Sequence, residues 1–341
     1  MNRVAINGFG RVGRAAFRAA FEARSDIEVV AINDVAGAPV LGQLLSRDTV
    51  YGAFPAAIEW TDYTLVVDGV EIPVFGERDP RLLPWREFGI DVALECTGKF
   101  RKRDVASYHL EAGAGTVIIS APATDPDATI VLGVNDDAYD PTQHRILSNA
   151  SCTTNCLAPV AKVLHQTVGI RHGLMTTIHA YTGDQQLVDS PHKDLRRARA
   201  AACNLVPTTT GAAKAIGLVI PELDGKLLGI AARVPVLTGS LVDLTVRLAT
   251  EATPAALNDA FAAAEGAALA GILHLSDEPL VSSDVIKSPF SSVVDKELTS
   301  VIGGRQAKVV AWYDNEWAYA TRLVELAERV LVDVPLLAAS R

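Results

Sequence analysis

The run Ile6-Asn7-Gly8-Phe9-Gly10-Arg11-Val12-Gly13 constrains what this chain can fold into more than any other stretch. It places Gly-x-Gly-x-x-Gly after a β-like run at 3–7 and before a helical pattern at 11–23 that is rich in Ala and Phe. Each glycine has its own physical reason. Gly8 permits a tight turn, Gly10 lets a pyrophosphate approach the backbone, and Gly13 allows close packing of helix on strand. The helix N-terminus then presents N–H groups and a partial positive charge to phosphates. Taken alone, the motif also fits a structural strand-to-helix turn. Asp34 adds what such a turn lacks, an acid ending the second strand (Ile27–Ile32) at about the expected 20-residue distance. Its carboxylate can accept hydrogen bonds from a ribose hydroxyl and repels a 2′-phosphate. The combination points to a dinucleotide, and to NAD over NADP.

The strands Leu65–Val67, Val92–Cys96 and Val117–Ser120 continue the pattern, with a helical segment at 101–112 as a crossover. Strands that alternate with helices imply a parallel sheet covered on both faces. From about residue 151 the character changes. Longer strands are expected at 171–180, 226–235 and 240–249, the last with clear alternation in Leu241–Leu248. A helix begins with Thr253 as N-cap and Pro254 at its first position and runs to about Glu265. The fold class is therefore α/β, a Rossmann-type parallel-sheet domain over 1–150 plus an α+β domain from 151. The segment 181–207 lacks periodicity and reads as a long ordered loop, a type that is usually functional. Residues Tyr319–Ala339 read as an amphipathic helix.

A length of 341 residues suits two domains, and 49% hydrophobic with 21% charged residues suits a sizeable interior. The net charge of −9 gives no general attraction for nucleic-acid backbones or anionic membranes. The cluster Arg196-Arg197-Arg199 is too short for a nucleic-acid surface and fits a solvated face or a small anion site. The chain opens on a strand with no signal-like segment, and no apolar stretch reaches the ~20 residues that span a bilayer. A cytoplasmic location is expected. The four cysteines are Cys96, Cys152, Cys156 and Cys203, too sparse for a disulfide framework. Cys152 and Cys156 lack the spacing of a zinc or redox knuckle, and no metal is expected.

Cys152 follows Ser151, which is well placed as the N-cap of a helix ending near Gly169. A first-turn position lets the helix dipole favour a thiolate. A small buried cysteine fits the same segment equally well. Pro159 lies inside this helix, a local conflict that functional regions tolerate. The strand Thr176–Thr182 carries His179 at its end. An imidazole near Cys152 would form a thiolate–imidazolium pair, a strong nucleophile with a proton shuttle.

Together these stretches identify a likeness. With Glu95-Cys96-Thr97-Gly98, Val117–Pro122, Ser148–Pro159, His179–Thr182, Pro207–Ala215, Arg233-Val234-Pro235 and Trp312–Trp317, the chain resembles the phosphorylating glyceraldehyde-3-phosphate dehydrogenase family along essentially its whole length. The resemblance implies Cys152 as nucleophile and His179 as base. It implies cofactor contacts from Gly8, Gly10, Arg11, Val12, Gly13, Asp34, Arg78, Ser120 and Asn315, the last holding the nicotinamide carboxamide. Thr182 and Arg233 match the pocket for the substrate's own phosphate. Ser151, Thr153, Arg197, Thr210 and Gly211 match the pocket for inorganic phosphate. Arg197 and Arg233 fit ordinary salt bridges as well. The implied reaction oxidises glyceraldehyde 3-phosphate through a thioester on Cys152, which inorganic phosphate then releases as an acyl phosphate. The resemblance also implies a homotetramer and a C-terminal segment, 316–341, packed back on the nucleotide domain, leaving 151–315 as the catalytic domain.

The sequence departs from the family in Ala318-Tyr319-Ala320, in Thr238-Gly239 before Ser240, and in Leu45-Ser46-Arg47-Asp48. Ser190-Pro191 occupies a place that helps set coenzyme preference. Two rival readings remain: an erythrose-4-phosphate dehydrogenase that hydrolyses its thioester, and a silent binding homologue. Thr208–Lys214 speaks against the first, because hydrolysis has no use for an inorganic-phosphate pocket.

Overall fold

A computed structural model describes residues 2–332. The chain divides into two compact units. Of the described residues, one holds 2–130, Asp136–Ala150 and 320–332; the other holds Val131–Asn135 and Ser151–Tyr319.

The first unit is built on a nine-stranded sheet. Its middle strand, Arg3–Asn7, buries Val4, Ala5 and Ile6 completely, which is why that run is apolar without alternation. Parallel neighbours are Glu28–Asn33 on one side and Val92–Glu95 on the other. Thr116–Ile119, Ile146–Ser148 and Ala128–Thr129 extend the second side, all parallel. This is the Rossmann-type arrangement. The chain winds one way from Arg3–Asn7 and then the other, so the strand ends at Asn7, Asn33 and Glu95 flank a crevice.

The expected helix over 101–112 is instead two single turns, Arg103–Ala106 and Tyr108–Glu111. They part at Ser107, whose hydroxyl turns back to donate to the Asp104 carbonyl at 2.7 Å, a local bond that competes with helix continuation. On the other edge, Val70–Phe75, Thr64–Val67 and Ile58–Trp60 form an antiparallel meander of which the sequence reading found only the middle strand. The signal was present: Asp68-Gly69, with φ of 47° and 81°, is the dipeptide that two-residue hairpins favour.

The second unit is an eight-stranded mixed sheet with helices, the expected α+β form. Its order runs Val206–Thr209, Leu227–Val234, Ile170–Ala180, Ser240–Leu248, Gln306–Tyr313, Ser292–Asp295, Leu273–Ser276, with Ser300–Ile302 beside Gln306–Tyr313. Ser240–Leu248 buries every second residue, as alternation requires. The helix Cys152–Val168 packs on this sheet and on the helix Ala212–Val219. Thr253 caps Pro254–Glu265 by accepting from the Ala256 N–H at 3.2 Å. The segment from 181 is irregular apart from the turn Ala201–Cys203, and becomes a strand at Val206. The helix expected at Tyr319–Ala339 spans Trp317–Val332; the remainder of that expectation, 333–339, lies outside the described residues.

Candidate active site

In the first unit the strand ends enclose a cavity of about 240 Å³ lined by Asn7, Gly8, Gly10, Asn33, Asp34 and Arg78, with Glu77, Cys96 and Thr97 among the others. Gly8 has φ +93°, and a Cβ there would meet the Thr97 nitrogen at 2.6 Å. A Cβ at Gly13 would meet the Gly8 oxygen at 2.2 Å, so helix and loop touch with no room for a side chain. Gly10 faces open space and is the N-cap of Arg11–Ala23, bringing no side chain to its first-turn N–H groups. Asp34 is fixed by backbone donors, Phe9 N at 2.8 Å and Ala36 N at 3.0 Å. An anion-receptive helix end beside a held carboxylate suits a dinucleotide's phosphate and ribose. The Arg11 guanidinium is turned to Asp48 and lies 5.6 Å from the Tyr51 ring centroid, so only its backbone is left for phosphate. Val12 follows it in the first turn. Ser120 donates its N–H to the Glu95 carbonyl at 3.0 Å and sits beside Cys96 rather than among the cavity's lining residues.

In the second unit, the residue before the cysteine helix is already constrained. Ala150 has φ +54°, a left-handed conformation costly for a residue with a Cβ, and it sets the sharp turn into Ser151. Ser151 caps the helix, accepting from the Thr154 N–H at 3.0 Å. Cys152 thus opens the first turn, partly buried. Its Sγ lies 3.4 Å from His179 Nε2. His179 is delivered by strand register: it pairs with Arg233 across the parallel strands Ile170–Ala180 and Leu227–Val234.

The protons on His179 follow from its partners. The Ala180 carbonyl, 2.6 Å from Nδ1, can only accept, so Nδ1 carries the hydrogen and Nε2 turns its lone pair to the thiol. Arg233 Nη1 also lies 3.0 Å from Nδ1, but its two hydrogens have acceptors in the Ala180 carbonyl at 3.1 Å and Thr182 Oγ1 at 3.0 Å, which leaves the Nδ1 hydrogen to the shorter contact. Burial, and then the Arg233 charge, hold the imidazole down at about 3. Burial also pushes the Cys152 thiol above its ordinary value, although Arg233 and hydrogen bonds around Thr153 pull it back. Both shifts oppose the charged forms, so desolvation works against the helix end and against the expected thiolate–imidazolium pair, while the geometry sets Sγ against Nε2. His179 is a base waiting for a proton. Of the other cysteines, Cys156 is buried, with burial pushing its thiol up, and burial takes Cys96 to about 12; neither competes as a nucleophile.

Thr182 donates to Asp184, and Asp184 pairs with Arg197. Arg197 also donates from Nε to Thr208 Oγ1 at 3.0 Å and from Nη2 to the Thr209 carbonyl at 3.3 Å. Arg197 is therefore in an ion pair, as one of the sequence readings allowed. Thr210 Oγ1 accepts from the Ala212 N–H at 3.2 Å, and Gly211 is the N-cap of Ala212–Val219 with open space where a Cβ would be. Arg233 differs from Arg197: its Nε is buried with no partner among the described residues. An unpaired buried N–H on a cation is costly, and a phosphate oxygen would satisfy it.

Several residues here escaped the sequence reading. Tyr313 is buried edge-on to His179, with ring centroids 5.9 Å apart, and its hydroxyl bridges Thr153 Oγ1 at 3.0 Å and Thr177 Oγ1 at 2.9 Å. It pins the first turn of the cysteine helix to the histidine strand. The departing run Thr238-Gly239-Ser240 holds Asn315: its Oδ1 lies 2.8 Å from Ser240 Oγ and 3.2 Å from Thr238 Oγ1. Gly239 has φ +84°, and a Cβ there would meet the Ser282 oxygen at 2.1 Å. Asn315 lies in the turn after the strand Gln306–Tyr313, an element the sequence reading did not place.

No helix among the described residues is long and apolar enough to cross a membrane. Among those residues no group of acid, histidine and cysteine side chains could hold a metal ion.

Residues 2–103 match the family described as "Glyceraldehyde 3-phosphate dehydrogenase, NAD binding domain", and 151–315 match its C-terminal domain. The chain is 57% identical over 334 residues to the glyceraldehyde-3-phosphate dehydrogenase of Mycobacterium bovis, covering 96% of this chain and 98% of the relative. It is 56% identical over 325 residues to that of Geobacillus stearothermophilus, covering 95% and 97%. To that of Kitasatospora aureofaciens it is 55% identical over 325 residues, covering 95% and 98%. With both family domains matched and identity above half over nearly the full length, this chain belongs to the glyceraldehyde-3-phosphate dehydrogenase family.

Proposed function

We propose that this chain catalyses the phosphorylating oxidation of glyceraldehyde 3-phosphate to 1,3-bisphosphoglycerate with reduction of NAD. The observation that carries the reading is the 3.4 Å approach of Cys152 Sγ to a His179 Nε2 that bears no proton, with Arg233 and Thr182 alongside.

The chemistry of these residues runs as follows. His179 Nε2 takes the thiol proton as Sγ attacks the aldehyde carbon; a C–S bond forms, and the proton passes to the former carbonyl oxygen. The product is a hemithioacetal on Cys152. NAD, when bound, would supply the hydride acceptor; in the first unit the Gly8–Gly13 loop, Asp34 and Arg78 would hold it, with Ser120 and, in the second unit, Asn315 as the remaining proposed contacts. His179 takes the hydroxyl proton as the carbon gives up its hydride, leaving a thioester. An oxygen of inorganic phosphate then attacks the acyl carbon; the C–S bond breaks, and the thiolate recovers a proton from His179. Ser151, Thr153, Arg197, Thr210 and Gly211 receive that phosphate, with Arg197 exchanging Asp184 for it. Arg233 and Thr182 hold the substrate's own phosphate. The Ser240 hydroxyl, donating to Asn315 Oδ1, turns the carboxamide so that its amide is the group offered to the nicotinamide, while Thr238 gives its one hydroxyl hydrogen to the nearer Asp314 carboxylate.

The reaction needs Cys152 to remain a thiol, which suits the cytoplasm. A homotetramer is also part of the proposal. Leu174, Leu228 and Ile230 stand together on strands Ile170–Ala180 and Leu227–Val234, more than half exposed, and partner subunits would cover them.

The deciding experiment mixes the full chain with NAD, glyceraldehyde 3-phosphate and inorganic phosphate and follows NADH absorbance. Rapid turnover that stops without phosphate is expected. Turnover that is indifferent to phosphate would point to hydrolysis and sink the reading.

Two variants probe the cleft and the phosphate pocket. Asp34→Asn removes the charge that repels a 2′-phosphate, and kcat/KM for NADP is expected to rise about tenfold or more relative to NAD. Unchanged preference would remove Asp34 from coenzyme selection. Arg233→Leu is expected to raise KM for glyceraldehyde 3-phosphate about 10- to 100-fold through loss of a charge-assisted phosphate contact. Because the Arg233 charge lowers both the Cys152 and the His179 pKa, its loss moves both titrations upward. The pH profile of iodoacetamide alkylation should shift to higher pH accordingly, and a shift to lower pH would contradict this electrostatic account.

A further inference from the structure

Beneath the dinucleotide cleft runs a chain of buried polar groups that the reaction does not use. Glu95, at the end of its strand, is 1% exposed and His109 is 0% exposed. A carboxylate survives such burial only with its lone pairs engaged. Asn7 Nδ2 and His109 Nε2 donate to its Oε2, the latter at 3.1 Å. Thr97 donates to Oε1 with its hydroxyl and with its N–H at 2.8 Å.

The direction of every bond is forced. The Trp85 indole N–H can only donate, and it reaches His109 Nδ1 at 3.0 Å. Nδ1 is therefore the acceptor, and Nε2 carries the hydrogen that faces Glu95. The carboxylate can only accept, so Asn7 turns its amide nitrogen inward and its Oδ1 outward. Asn33 Nδ2 donates to that Oδ1 at 2.6 Å and to the Glu77 carbonyl at 2.9 Å, while Asn33 Oδ1 accepts from Glu77 N at 2.8 Å. Asn7, Asn33, Glu77 and Thr97 all line the cleft. One anion thus fixes the ends of Arg3–Asn7, Glu28–Asn33 and Val92–Glu95 and, through Asn33, the turn that carries Arg78.

We propose that Glu95, oriented by His109 and Trp85, is a positioning residue for the cofactor: a buried hub that sets the walls of the cleft before the dinucleotide arrives. The proposal rests on the reading of this cleft as the NAD site. A preorganised cleft loses less ordering freedom on binding, so the hub acts on cofactor affinity and leaves the chemistry at Cys152 alone.

Calorimetric titration of the full chain with NADH, together with steady-state kinetics, tests it. His109→Leu is expected to weaken NADH binding about tenfold, by removing one donor from a buried carboxylate. Trp85→Phe, which frees the His109 tautomer, should weaken it by about threefold. His109→Gln can accept from Trp85 and donate to Glu95, and should restore affinity to within about twofold of wild type. In all three, kcat at saturating NAD and KM for glyceraldehyde 3-phosphate stay within about twofold, since neither contact is touched. Should His109→Leu fail to fold, Trp85→Phe against His109→Gln carries the comparison. Wild-type affinity in Trp85→Phe and His109→Leu, or a loss confined to kcat or to melting temperature, overturns the positioning role while leaving the NAD reading intact. A wild-type chain that binds no NADH overturns both.

Discussion

Serine in place of Cys152 leaves a folded, cofactor-binding chain whose dehydrogenase activity falls by on the order of 10⁴-fold or more, as loss of a covalent nucleophile does. The substitution exchanges sulfur for oxygen at an N-terminal helix position that serine tolerates well, so packing is hardly disturbed. The chemistry is disturbed at each half-reaction. A hydroxyl is far less acidic than a thiol, and the base opposite it is weak, because burial and Arg233 hold His179 at about 3. An oxygen ester is also a poorer acyl donor to phosphate than a thioester. The substitution leaves the glycine loop, Asp34 and Asn315 untouched, so NADH affinity should stay close to that of wild type. Steady-state rates, NADH titration and a melting curve on the same sample distinguish lost chemistry from lost fold. A Cys152→Ser variant that kept a few per cent of wild-type activity would remove the thioester from the mechanism.

The parts of this molecule that were legible in the sequence are those governed by local rules. The glycine loop and its acid specify a strand, a turn and a helix through backbone sterics. Ser151 and Thr253 announce helix starts through capping chemistry, and Pro254 confirms one of them. Ser240–Leu248 shows its two faces because one is buried. Where several local forces compete, the reading weakened. The segment 101–112 has helical composition, yet a serine hydroxyl interrupts it at Ser107. Gln306–Tyr313 lies inside the sheet, paired on both sides, and its near-continuous apolar run carries no alternation to distinguish strand from buried helix. That strand delivers Tyr313, whose bridge between Thr153 and Thr177 therefore went unread, while Asn315, just beyond it, entered only through the family resemblance. The approach of Cys152 to His179 depends on strand pairing over long sequence separation, which no local pattern encodes; there the family resemblance supplied what periodicity did not. The sign of the thiol shift was also out of reach. A helix N-terminus is visible in a sequence, but the desolvation that outweighs it depends on what packs around the sulfur.

Replacing His179 by asparagine tests that electrostatic balance directly, and kcat is expected to fall about 10²- to 10⁴-fold, the range for losing a positioned base. The more diagnostic result is the pH dependence of Cys152 alkylation. In wild type the thiol proton can move to Nε2 within the pair, so a small thiolate fraction persists at any pH between the two titrations. The imidazole is unprotonated above about 3 and is by itself a weak base, but a thiolate left beside it at 3.4 Å favours the proton on Nε2, which keeps the pair available on the acid side. Alkylation of wild type should therefore level off on the acid side instead of falling tenfold per pH unit. Asparagine cannot accept the proton. In His179→Asn the plateau should disappear, and the rate should climb with pH toward a thiol pKa that burial sets above its ordinary value. An acid-side plateau that survived in the variant would mean that some other group takes the thiol proton, and the 3.4 Å contact would then be packing rather than proton transfer.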